Sequence, residues 1–107
     1  MQAQWMDVLG EEELNDPGGR EVVVDGKLIA LFHVGGEWFA IDGTCPHHGG
    51  PLGQGELCEG MVQCPWHGLQ VDIRSGAYVL GEPHRLTTFP TRCRAGRVEV
   101  CCGESES

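Results

Sequence analysis

The chain has 107 residues, with sixteen Asp and Glu against seven Lys and Arg and a net charge of −9. That length suits one domain with a modest core of its own, and so acidic a balance excludes the basic face that nucleic acid requires. No apolar run reaches membrane-span length and no basic-then-apolar leader opens the chain, which reads as a cytoplasmic protein with no membrane contact.

Seventeen glycines, short apolar runs and closely spaced turn signals predict an all-β chain. Residues 5–9 read as a first strand, followed by a helical turn over 11–14 that ends near Asn15-Asp16-Pro17-Gly18-Gly19. Strands over 21–24 and 27–34 flank Asp25-Gly26, a tight hairpin signal. Gly35-Gly36 turns the chain into 37–42, where Trp38 and Ala40 alternate with Phe39 and Ile41, so one aromatic face is expected to be buried. Residues 51–60 are rich in glycine and turns, and 61–63 form a short strand. Leu69, Val71 and Ile73 alternate with Gln70 and Asp72 as in a half-buried strand, and Ser75-Gly76 turns it into 77–80. Residues 86–94 and 97–102 make the last hairpin around Ala95-Gly96. The pattern predicts a single domain over 1–107 with a core from about 5 to 102. It is an antiparallel β-sandwich base with a smaller lobe, about 43–78, inserted between its strands. Residues 103–107 are a tail, and no internal repeat is visible.

Four residues stand out in that lobe: Cys45, His47, Cys64 and His67. They form Cys45-Pro46-His47 and Cys64-Pro65-Trp66-His67, with sixteen residues between the two segments. Proline stiffens each approach, and Gly49, Gly50 and Gly68 let the backbone pass close by. Two thiolates and two imidazoles suit either a tetrahedral zinc site or a [2Fe–2S] cluster with two cysteines on one iron and two histidines on the other. Zinc loops pair like with like. Here each loop supplies one Cys and one His, which suits a binuclear centre reached by both loops. The zinc-stabilised structural or binding module stays open as the alternative.

At these residues the chain resembles the Rieske-type ferredoxins, the small electron carriers of bacterial aromatic-ring oxygenase systems. It is also similar to the Rieske-like small subunits of nitrite reductases. The resemblance implies the Rieske fold and one [2Fe–2S] cluster per chain. Cys45 and Cys64 would bind the inner iron, and His47 and His67 the outer, more exposed iron. It further implies a turn over Asp72-Ile73-Arg74-Ser75-Gly76 and a third loop covering the cluster at Gly81-Glu82-Pro83. Respiratory Rieske proteins add a cysteine to each ligand loop and join the two as a disulfide; here those positions are Gly50 and Trp66. They also place a serine and a tyrosine after the second loop, donating hydrogen bonds to sulfur. Here the matching residues are Leu69 and Val71, which have no donor, so a potential at the low end of the family's range is expected.

The resemblance makes the chain an electron carrier with no catalytic residue of its own. It would be a monomer, passing single electrons from a flavoprotein reductase to a terminal oxygenase. Exposed ligand imidazoles would let the potential fall as pH rises. No dinucleotide fingerprint and no mononuclear iron site stand elsewhere in the sequence. The acidic charge suits docking on a basic partner face and equally suits solubility alone. Cys58, Cys93, Cys101 and Cys102 read as free thiols, with Cys93 and Cys101 as small core residues on strands. His48 reads as a surface neighbour of His47, and His33 as a strand residue. His84 lies in the expected covering loop. Trp66 either shields the cluster or simply packs.

Overall fold

A computed structural model describes residues 4–46, 49–66 and 68–101. His47, His48, His67, Cys102 and the tail therefore lie outside the described residues. Five strands open and close the base: β1 (Trp5–Gly10), β2 (Gly18–Val24), β3 (Lys27–Val34), β4 (Glu37–Asp42) and, after the lobe, β10 (Thr88–Phe89). β11 (Thr91–Arg94) and β12 (Arg97–Cys101) complete it. The lobe holds β5 (Glu56–Cys58), β6 (Met61–Gln63), β7 (Gln70–Asp72), β8 (Ala77–Leu80) and β9 (Glu82–Arg85). Single 3-10 turns follow β1 at Glu11–Glu13 and precede β5 at Leu52–Gln54. Among the described residues no helix is long and apolar enough to cross a membrane.

The base is two antiparallel sheets, ordered β1-β12-β11 and β10-β4-β3-β2, and the lobe adds β5-β6-β7 and the hairpin β8-β9. The four-stranded sheet is apolar on both faces. Ile29, Leu31 and Ala40 enter a core with Leu9, Val98 and Val100 of the facing sheet. Ala30, Phe32 and Ile41, on the opposite face, enter a second core with Leu52, Val62, Val71 and Ile73 of the lobe. Period-two alternation assigns neighbours to opposite faces, so β4 buries both faces where the sequence suggested one. A two-layer base with a lobe packed against its back is the physical cause.

Other expectations shift in detail. β2 starts at Gly18, three residues early, because Gly18 and Gly19 pair with His33 and Phe32. A Cβ at Gly19 would lie 2.7 Å from Phe32 Cδ1, so only a bare backbone passes the ring. Residues 56–58, read as part of a turn-rich stretch, form an edge strand on β6. The expected covering loop at Gly81-Glu82-Pro83 is instead the turn and outer strand of a hairpin, with β9 paired to β8 from Arg85 to Glu82. Residues 86–94 split at Pro90: β10 pairs with β4, and β11 crosses to β12 in the other sheet. Cys101 is buried as expected, but Cys93 is exposed. It sits on the edge strand β11, and its thiol donates to Glu11 Oε1 at 3.3 Å, which raises the thiol's pKa above its ordinary value.

Candidate metal centre

The lobe presents two loops of matching construction. The first grows from β4: Thr44 and Pro51 form an antiparallel bridge at its neck. Inside that neck Cys45 N–H donates to the Gly50 carbonyl at 2.8 Å, and Gly49 N–H donates to the Cys45 carbonyl at 2.8 Å. The second grows from β6 and β7: Gln63 pairs with Gln70 at its neck. Inside it Cys64 N–H donates to the Leu69 carbonyl at 2.8 Å, and Gly68 N–H donates to the Cys64 carbonyl at 3.0 Å. Each neck encloses six residues, each cysteine is the first residue inside, and each loop places a glycine four residues after its cysteine. Gly49 and Gly68 adopt φ of +77° and +79°, left-handed values that glycine takes without strain. The shared Cys-Pro-x-His-Gly of 45–49 and 64–68 is thus a short internal repeat that the sequence reading missed. Five residues per copy, only four of them identical, are too few to stand out among seventeen glycines.

These loops deliver two sulfur donors to one place. Cys45 and Cys64 are free thiols, each 1% exposed, within the same apolar core as Val62, Val71 and Ile73. The loops touch directly, since a Cβ placed on Gly50 would lie 2.7 Å from Cys64 Sγ. Both cysteine amides are spent on loop closure. Leu69 packs at the edge of the core and Val71 is fully buried, so neither offers a donor to sulfur. Two buried free thiols at the necks of two rigid, abutting loops fit the sulfur half of a binuclear iron centre. The histidines predicted to complete it, His47 and His67, lie outside the described residues.

Of the other singled-out residues, His33 and His84 lie on strands outside the two cysteine loops, and Trp66 lies within the second. His33 stacks on Trp38 with ring centroids 3.8 Å apart, and its Nδ1 stands 3.1 Å from the Leu14 carbonyl oxygen. His84 stacks on Tyr78 at 5.2 Å on the outer hairpin. There it lines an apolar groove with Leu69, Val79 and Pro83 that runs up to Gly68 of the second loop. Trp66, one residue before His67, is 58% exposed. Sequence reasoning had no signal for this groove, because it forms only where the hairpin β8-β9 packs beside β6 and β7.

A small β-domain with two cysteine loops gripping one buried point defines an iron–sulfur protein of the electron-transfer class. The model of the Rieske [2Fe-2S] domain matches residues 4–90. The anthranilate 1,2-dioxygenase ferredoxin subunit of Burkholderia cepacia is 35% identical over 104 residues, covering 94% of each chain. Among solved structures, one of a complex of reduced oxygenase and oxidized ferredoxin in carbazole 1,9a-dioxygenase aligns at 25% identity, covering 96% of both chains, with TM-score 0.84. The putative NADH-dependent nitrite reductase small subunit from Mycobacterium tuberculosis shares the fold, with TM-score 0.88 at 23% identity over 98% of this chain and 100% of its own. The chain belongs to the Rieske [2Fe–2S] domain family and carries that family's [2Fe–2S] cluster, which replaces the zinc alternative.

Proposed function

We propose that this chain is the ferredoxin component of an aromatic-ring dioxygenase system, accepting one electron from a flavoprotein reductase and passing it to a terminal oxygenase. The bound cluster supplies a centre that gains and loses a single electron. Cys45 and Cys64 would hold one of its irons, and His47 and His67 the other. The single observation that carries the reading is 35% identity to a dioxygenase ferredoxin subunit over 94% of each chain. The residues serve the task in simple ways. The lobe-facing apolar core keeps water from the thiolates, and the matched loop closures hold the sulfurs still. The apolar groove beside Gly68 and the exposed Trp66 offer a partner a surface next to the ligand loops.

A second reading is a permanent small subunit of a larger oxidoreductase, as the name of the nitrite reductase neighbour has it, which covers 98% of this chain. At 23% identity it speaks for the fold alone. The test has two stages. EPR of the dithionite-reduced protein, with iron and sulfide counted on the same sample, is expected to give a rhombic signal. Its mean g should lie clearly below that of all-cysteine [2Fe–2S] proteins. Rapid reduction by a flavoprotein reductase, followed by turnover of an oxygenase, then supports the free carrier. Stable co-purification with a large flavin or haem subunit would replace it with the second reading.

A further inference from the structure

Gly50 is the point where the two cysteine loops meet. A Cβ placed there would lie 2.7 Å from Cys64 Sγ and 3.1 and 3.2 Å from Cγ and Cδ2 of Trp66. Two side chains of the second loop therefore occupy the space that a side chain at position 50 of the first would need. The φ of Gly50 lies outside the left-handed range, unlike that of its neighbour Gly49 at +77°. Glycine is required at 50 for room and not for backbone conformation. The inner edge of the indole is in van der Waals reach of that backbone, while 58% of Trp66 remains exposed. An exposed aromatic is ordinary by itself. What sets this one apart is the thiol and the opposing loop beneath it.

We propose that Trp66 and Gly50 form a clamp between the two ligand loops. The indole lies against the bare backbone of Gly50, ties the loop of Cys64 to the loop of Cys45, and keeps solvent away from Cys64 Sγ. Trp66 is a positioning residue and not a ligand. The clamp consists of a side chain and a backbone atom, so both must be intact for it to hold. Adding a methyl at Gly50 and removing the indole damage the same contact. The inference rests on the cluster assignment made above.

The test uses the loaded protein and its G50A, W66L, W66F and G50A/W66L variants. Two quantities are read: the half-life of the cluster's visible absorbance under a chelator, and the reduction potential. G50A and W66L are each expected to shorten the half-life about tenfold, and the double variant to be no worse than the poorer single one, as coupled residues behave. Both single changes are expected to move the potential upward, because water reaching the sulfur favours the more negative reduced state. W66F should stay within about twofold of wild type, since a smaller ring still covers the glycine. Multiplying losses in the double variant, or a potential unmoved while thermal stability falls, would overturn the clamp. If W66L loads no cluster, W66F decides: wild-type persistence supports the clamp, and failure of both overturns it. A wild-type protein without iron and sulfide would overturn the cluster assignment and the clamp together. A loaded wild type with indifferent variants would overturn the clamp alone.

Discussion

Asp16 shows how much one exposed carboxylate can organise. Its Oδ1 accepts the Gly35 N–H at 2.9 Å and its Oδ2 the Gly36 N–H at 2.7 Å, tying the turn after the first 3-10 segment to the β3–β4 turn. Those two backbone donors hold its pKa below the ordinary value, Gly36 first, with His33 adding attraction. A depressed folded pKa means the stabilisation is present above the unfolded value, about 3.9, and is lost as pH falls through the folded one. D16N is therefore expected to be less stable than wild type at neutral pH. The gap should shrink below about pH 4. Denaturant midpoints of both proteins from neutral to acid pH check this, and a gap that widens in acid would refute it. The thiols separate at the same scale. C45S and C64S are expected to abolish the cluster's visible absorbance, whereas C58S, at an exposed hairpin position, should leave iron content unchanged.

At the scale of elements, the central sheet bears the packing load. Phe32 is fully buried on the lobe-facing side of β3, and F32A is expected to cost about 3–5 kcal/mol in denaturant unfolding. Its partner Gly19 lies under the ring, so G19A forces a methyl to within 2.7 Å of Cδ1, and overpacking of this kind costs about 1–3 kcal/mol. The two changes should not add, because removing the ring frees the space the methyl needs. Additive losses would show that Gly19 matters for its backbone and not for the ring. Strand positions were legible in the sequence wherever turn chemistry bounded them, as at Asp25-Gly26 and Gly35-Gly36. They were not legible at Pro90, where one continuous segment serves two sheets. Nor were they at 82–85, where a fully exposed outer strand has no hydrophobic pattern to betray it.

At the scale of the whole molecule, the charge and the donor-poor surroundings of the thiols define the carrier. With Leu69 and Val71 in place of hydroxyl donors, a midpoint potential of roughly −150 to 0 mV is expected from a redox titration. A value well above +100 mV would mean that donors reach the sulfurs from elsewhere. A low potential suits delivery of electrons to an oxygenase and disfavours oxidation of a quinol.

The sequence by itself singled out the candidate sulfur and nitrogen donors, grouped them into two proline-led segments, and indicated the β-class of the chain. Each of these rests on local chemistry: residue type, spacing, a two-residue period and turn-forming dipeptides. Only the tertiary structure decided that β4 is covered on both faces, that Cys93 faces outward, and that the two loops close in the same register. It alone brought Gly50 against Trp66 and Cys64. These are contacts between segments distant along the chain, and no local pattern encodes which surface a neighbouring layer will cover.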